Sequence, residues 1–291
     1  MDNPSPRVSV ILTVYNRAEF LADAINSVLA SDFEDFELVI VDDCSSDGSV
    51  EIARELATTD ARIRFYRNDG NLGDYPNRRY AATLARGTYL KYVDSDDMIY
   101  PWGLGIFVRC MDRFPEAGFG LSAHSAPDRP HPLLFTPAAA YREEFHGREL
   151  FGRAPGSAIM RRDAYEQAGG FRGIRHAGDQ DLWLRMGALF PVITLPPALV
   201  WDRTHDAQER AVGSVAARMK VRAELVRAAL SSPDCPLDPG ERQAALEAWR
   251  RKHMRTFWQL LRCRRFREAM AYRRSIAPLR QAGLEAGYRD D

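Results

Sequence analysis

The sequence predicts an α/β fold, in which a mixed, mostly parallel sheet is flanked by helices and followed by a helical C-terminal extension. Three observations carry this. The first hundred residues alternate β-branched apolar runs with helical apolar stripes. Polar clusters, two of them acidic, close three of those runs. After residue 214 the chain turns all-helical and basic.

Composition narrows the field first. The 291 residues are 45% hydrophobic and 27% charged, which excludes disordered, collagen-like and coiled-coil chains. Net charge is zero, but residues 215–291 hold 17 Lys+Arg against 9 Asp+Glu, and residues 1–214 hold 23 against 31. A basic end of this kind points to an anionic partner. No apolar run approaches the ~20 residues of a membrane helix, and residues 8–14 are too short for a signal-peptide core. Cys44, Cys110, Cys235 and Cys263 have no metal-type spacing, so a reduced, cytoplasmic setting is expected.

The elements follow in order. Residues 8–14 (VSVILTV) end at Tyr15-Asn16-Arg17, the pattern of a strand buried on both faces. Phe20, Leu21, Ala24, Ile25, Val28 and Leu29 recur at helical spacing. A second run, 36–41, stops at Asp42-Asp43, and the turn Ser46-Asp47-Gly48-Ser49 precedes a helix marked by Val50, Ile52, Ala53 and Leu56. Residues 62–66 predict a third strand, 68–74 a loop, and 76–86 a helix with Pro76 in its first turn. A fourth strand, 88–93, runs into Asp94-Ser95-Asp96-Asp97. Beyond it, helices are expected at 101–114, 162–168 and 179–189, and strands at 118–123, 157–161, 192–195 and 198–201. A proline-rich loop is expected over 126–140, and helices over 215–230, 240–262 and 264–277. In such sheets ligands bind outside the carboxyl ends of the strands, so the three polar clusters mark one rim as the site.

Asp94, Asp96 and Asp97 are the sharpest signal on that rim. Three carboxylates within four residues repel one another, and a divalent cation bridging to a diphosphate relieves the repulsion. The competing reading of the same residues is a solvated turn that caps the next helix. Asp42-Asp43 reads either as a turn and cap or as a carboxylate facing a base or a ribose hydroxyl. The absence of G-x-G-x-x-G after the first strand and of G-x-x-x-x-G-K-[ST] argues against the usual dinucleotide and P-loop sites.

Taken together, V-S-V-I-L-T-V-Y-N-R (8–17), V-I-V-D-D-C-S-S-D-G-S (39–49), A-R-G-T-Y-L-K-Y-V-D-S-D-D (85–97), G-G-F (169–171), G-D-Q-D-L-W-L-R (178–185) and R-T-H (203–205) resemble the family 2 glycosyltransferases of GT-A fold. The resemblance covers roughly residues 7–210. It implies an inverting transfer of a sugar from a nucleotide-diphosphate sugar, a UDP-sugar first, to a hydroxyl of a glycan or lipid-linked acceptor, as in cell-surface polysaccharide synthesis. It implies Mn2+ or Mg2+ as cofactor. Residues 1–213 then form the catalytic domain, with 1–97 binding the nucleotide sugar, 98–213 the acceptor, and 214–291 a basic helical region.

The same resemblance implies roles residue by residue. Thr13, Tyr15 and Asp43 match positions that hold the base and ribose, and Asp96 lies near the ribose. Arg78 matches an arginine near the donor, although Arg79 stands where Asn is usual. Asp97 binds the metal, with Asp94 and His205 beside it, and Arg203 neutralises phosphate charge. Asp179 is the base that deprotonates the acceptor, with Asp181 as runner-up. The family often has Glu-Asp here, whereas this chain reads Gly178-Asp179. Two rival functions follow from the residues: a sugar nucleotidyltransferase, which needs a glycine-rich basic loop after the first strand, and a non-catalytic homologue that only binds the nucleotide sugar. The basic end reads as a surface for anionic lipid headgroups, as a face docked on the body or a second subunit, or as a solvated counter-charge. No nucleic-acid motif accompanies it.

Overall fold

The computed structural model describes residues 5–123, 129–204 and 215–276. His205 and the expected boundary at residues 213–214 lie outside the described residues. One sheet of eight strands organises the molecule, in the order β3 (Ile63–Arg67), β2 (Phe36–Asp42), β1 (Val8–Val14), β4 (Tyr89–Tyr92), β8 (Ala158–Arg161), β6 (Phe119–Ser122), β9 (Val192–Leu195) and β7 (Leu133–Phe135). The first four strands are mutually parallel. β8 is antiparallel to both β4 and β6, β9 runs parallel to β6, and β7 closes the edge antiparallel to β9. A small second sheet pairs β5 (Met98–Ile99) with β10 (Val200–Trp201) antiparallel.

The period-2 side-chain alternation divides the apolar strands between two cores. Ile11, Val39, Val41, Leu90 and Tyr92 face one of them. Val10, Leu12, Leu38, Ile40 and Tyr89 face the other, where helix α1 (Ala18–Leu29) buries Leu21, Ala24, Ile25 and Val28. Each fully buried Leu, Ile or Val contributes roughly 1.5–3 kcal/mol. On the same side as α1 lie α2 (Ser49–Ala57) and α4 (Gly103–Arg113). The opposite core is covered by α3 (Asp74–Thr83), α5 (Pro137–His146), α6 (Arg162–Gln167) and α7 (Gly178–Leu189).

The stretch expected as a loop over 126–140 differs from that reading where it is described. β7 occupies Leu133–Phe135 and α5 begins at Pro137. Pro137 stands at the start of α5, and the Thr136 side chain caps it by accepting from the Ala139 N–H. A run of prolines suggested irregular chain, whereas one of them occupies the helical position that lacks nothing by losing its N–H.

Helices α8 (Val215–Ser231), α9 (Pro239–Arg262) and α10 (Phe266–Ile276) dock on the body. Met219, Ala223, Val226 and Leu230 of α8, and Leu246, Trp249 and Phe257 of α9, join the core beneath α5 and α7. A capping box between Asp238 and Glu241 starts α9, and Glu241 also bonds Arg142 of α5 at 2.6 Å. Among the described residues no helix is long and apolar enough to cross a membrane.

His253 ties α9 to α10. Its Nδ1 lies 2.6 Å from the Tyr272 hydroxyl, and its ring packs 4.0 Å from Trp249. Burial first, then Lys252 and Arg222, push it down to about 4. The native state therefore binds this proton more weakly than the unfolded chain, and the associated stability is lost as pH falls from about 6.5 toward 4. Thermal melts across that window are expected to lose more for the wild type than for His253→Gln, and parallel losses would refute the assignment.

Candidate active site

Register builds the rim. Val14 pairs with Asp42 and Ile11 with Tyr92, so Tyr15, Asp43 and Asp94 leave the sheet at the same edge. Asn16 and Cys44 adopt left-handed φ of 51° and 65° just beyond β1 and β2, a conformation asparagine tolerates better than most residues. The two loops latch: the Asn16 N–H donates to Ser45 Oγ, and the Ser46 N–H donates to Asn16 Oδ1, each at 2.9 Å.

Neither aspartate pair caps a helix. Gly48 precedes α2 and Trp102 precedes α4, with no side-chain cap at either. Asp42 closes its own turn by accepting from the Ser45 N–H at 2.9 Å. Asp43 accepts from Asn68 Nδ2 and the Leu72 N–H at 2.8 Å and from the Gly73 N–H at 2.9 Å. It thereby folds the 68–73 loop over the rim, where Gly73 has φ +89°. Thr13 is half-buried in β1, and Tyr15 is 49% exposed in the loop beyond it.

The acidic group at the end of β4 is braced by cations from several segments. Arg78, buried on α3, donates to Asp74 and Asp94 at 2.7 Å each. Burial opposes its charge, yet Asp74 and Asp94 hold its proton more tightly than usual. Its Nη1 is buried with no hydrogen-bond partner among the described residues. Arg17 meets Asp96 at 3.2 Å. The Arg203 N–H donates to Asp97 at 2.9 Å, its Nε to the Asp96 carbonyl at 3.1 Å, and its Nη2 to Asp23 of α1 at 2.9 Å. Pairing of β5 with β10 brings this strap to the rim.

Two groups stand out electrostatically. Burial and the neighbouring Asp94 push the Asp97 carboxyl up to about 7. Lys91, absent from the sequence reading, is fully buried beneath the acids, and burial pushes it down to about 7 although Asp94, Asp97 and Asp202 pull the other way. Its Nζ donates to the Tyr92 carbonyl at 2.6 Å and to the Gly156 carbonyl. The signal was present as a lone lysine in an apolar strand. Among the described residues no three His, Cys, Asp or Glu side chains converge as a ready-made metal cage. The rim instead fits a cation that takes one or two carboxylates and completes its shell with phosphate oxygens.

Asp179 lies in the first turn of α7, whose N-cap is Ala177 without a side-chain cap. Burial raises its proton affinity, against the Gln180 N–H bond at 2.8 Å and the charges of Arg222 and Arg78. The runner-up, Asp181, is committed to Arg185 at 2.6 Å. Gly178 is explained by Tyr75: a Cβ there would lie 2.8 Å from the Tyr75 ring, which also packs 5.2 Å from Phe171. The structure thus brings Arg78, Asp94, Asp96, Asp97 and Arg203 together by direct contacts, and sets Asp179 within electrostatic reach of Arg78.

Comparison with known proteins agrees with this architecture. The description Glycosyl transferase family 2 matches residues 9–169, more than half the chain. Escherichia coli WcaA, named for colanic acid biosynthesis, is 29% identical over 188 residues, covering 62% of this chain and 66% of that protein. Alignments with other curated relatives cover 38% and 67% of their lengths. The structure of S. aureus TarS 1-349 in complex with UDP-GlcNAc superposes with TM-score 0.70 at 20% identity, covering 94% of this chain and 80% of that one. Mannosyltransferase PcManGT from Pyrobaculum calidifontis, in complex with GDP-Man and Mn2+, gives TM-score 0.64 at 18% identity, covering 96% and 76%. The fold is GT-A.

Asp97 supplies a direct check on the rim. Its native carboxyl holds a proton more tightly than the unfolded chain, so its contribution favours folding at acid pH and declines as pH rises from about 4 to about 7. Without divalent metal, the melting-temperature gain of Asp97→Asn over wild type is expected to be larger near pH 8 than near pH 5. Equal gains at the two pH values would refute it.

Proposed function

The chain belongs to glycosyl transferase family 2, and on that premise we propose that it moves a sugar from a nucleotide-diphosphate sugar to a hydroxyl of a glycan or lipid-linked acceptor, with inversion. One observation carries this reading. Among the described residues, no side-chain cation pairs with the buried Asp97 carboxylate, and Arg78, bonded to the neighbouring Asp94, has a buried Nη1 with no hydrogen-bond partner. A metal-bound diphosphate answers both needs.

Asp97 and Asp94 are the carboxylates that would hold Mn2+ or Mg2+, with His205 as the third ligand. A cation held by these residues would supply positive charge to offset that of a departing diphosphate. Arg78 Nη1 donates to a phosphate oxygen, and Arg203 adds positive charge at the rim. Thr13, Tyr15, Asp43 and Asp96 hold the base and ribose. On Asp43, Oδ2 accepts a single donor among the described residues, the Gly73 N–H, and so retains a lone pair for the nucleotide. Asp179 takes the proton of the acceptor hydroxyl as its oxygen attacks the anomeric carbon. The bond from that carbon to the diphosphate breaks on the opposite face, and its electron pair leaves with the phosphate. The raised proton affinity of Asp179 suits a general base. Residues 1–97 form the donor half and 98–213 the acceptor half.

UDP-sugars are the first donors to test, and GDP-sugars the second, since neighbours of this fold were solved with one of each. The relative named for colanic acid supports a surface polysaccharide as the product. Free thiols at Cys44, Cys110, Cys235 and Cys263 suit a cytoplasmic setting, with a lipid-linked acceptor drawing the enzyme to the inner membrane face. A nucleotidyltransferase is disfavoured because the loop after β1 is short, tied to Ser45 and Ser46, and without glycine.

Turnover of a nucleotide-sugar panel with Mn2+ tests the reading. Asp179→Asn is expected to lose about 10²–10⁴-fold in rate while keeping donor affinity. Asp97→Ala is expected to lose metal-dependent donor binding together with turnover. Donor binding by the wild type without any turnover would identify a non-catalytic homologue, and full activity in Asp97→Ala would overturn the metal assignment.

A further inference from the structure

Residues 248–267, spanning the end of α9 and the start of α10, contain eight Lys+Arg and no Asp or Glu. Three of these cations are already paired: Arg251 with Glu247, Lys252 with Glu149 and Arg265 with Glu268. Arg255, Arg262, Arg264 and Arg267 are exposed and have no carboxylate partner among the described residues. At the same end of the helical hairpin, Trp258, Phe266 and Met270 are 56%, 60% and 47% exposed. At 1.5 Å rise per residue, Trp258 and Met270 lie within about two turns of the corner.

The corner itself is held against local preference. The Arg264 N–H donates to the Leu261 carbonyl and the Arg265 N–H to the Leu260 carbonyl, the double bond pattern that ends a helix on a left-handed residue. That residue is normally glycine, yet Arg264 occupies it with φ 58°. A side chain there costs about 1 kcal/mol relative to glycine. A guanidinium is thus placed at the tip of the hairpin, in chain order between the exposed Trp258 and Phe266.

We infer that the α9–α10 corner is a docking surface for an anionic phospholipid membrane. The arginines meet headgroup phosphates, while Trp258, Phe266 and Met270 enter the boundary between headgroups and acyl chains. The distribution of charge sets the orientation: the acidic body is repelled by an anionic surface and the basic end is drawn to it. A second copy pairing corner to corner would bring the unpaired arginines against each other, which disfavours that occupant. The inference is independent of the chemistry proposed for the aspartate rim.

Co-sedimentation of the full-length protein with phosphatidylcholine vesicles, with and without about one third phosphatidylglycerol, is the test. Binding is expected only with phosphatidylglycerol, and is expected to fall about tenfold or more as salt is raised. Arg262→Glu/Arg264→Glu is expected to lower partitioning roughly 20-fold or more, with an unchanged far-UV circular dichroism spectrum. The vesicle-induced blue shift of tryptophan emission is expected to vanish in Trp258→Phe while binding persists. Equal binding to neutral vesicles, unaltered binding by the charge-reversal variant, or capture of RNA or self-association in place of vesicle binding would each overturn the inference.

Discussion

Like charges crowded at the end of one strand govern how the rest of this molecule is assembled. Asp94, Asp96 and Asp97 leave β4 within four residues, and Asp74 and Asp202 add to the same field. Two carboxylates about 4 Å apart repel by roughly 1–4 kcal/mol at effective dielectrics between water and a protein surface. The cations that offset this come from separate elements: Arg17 after β1, Arg78 on α3, Lys91 in β4 and Arg203 after β10. Each brace is therefore also a tertiary contact, and Arg203 joins the β10 loop, the acidic turn and α1 through Asp23. The compensation stops short at Asp97, where burial first and then the neighbouring Asp94 raise the carboxyl's proton affinity.

The strands and helices that position this rim were legible because burial on two faces writes a continuous apolar run, as in VSVILTV and FELVIV. So were the acids, as polar residues ending such runs at one rim, whereas Arg78, inside the polar helix α3, was reached through the family resemblance. The braces were not. Arg78 pairs with Asp94 across 16 residues and Arg203 with Asp96 across 107. Local pattern carries no signal over such separations. Asp43 shows a subtler gap: its position was readable, but its commitment to three donors in the 68–73 loop depends on how that loop folds back.

Gly178 illustrates how an apparent loss is a packing event. From the sequence it reads as a missing carboxylate. In the structure the Tyr75 ring fills the volume that a side chain at 178 would need, and burial with Asp179 and Asp74 raises the Tyr75 hydroxyl well above its usual range. Tyr75 is the first aromatic of α3, three residues before Arg78, so the same short helix supplies both the guanidinium beside Asp94 and the ring that shapes the start of α7. An acid at 178 therefore requires the Tyr75 ring to shift or be replaced, and the two positions are coupled.

The opposite signs of the two ends invite the reading that the basic helices merely balance the acidic body. The contacts argue against it. Among the described residues, only Lys252 to Glu149 and Arg142 to Glu241 join α9 to the body as ion pairs, and in the second the cation belongs to the body. The rim meanwhile draws its cations from its own strands and neighbouring helices. Among the described residues Arg255, Arg262, Arg264 and Arg267 pair with none of the body's acids, and these four stand together with the exposed Trp258, Phe266 and Met270. Exposed apolar surface rimmed by unpaired charge of one sign carries a cost in the isolated molecule that only an external partner recovers.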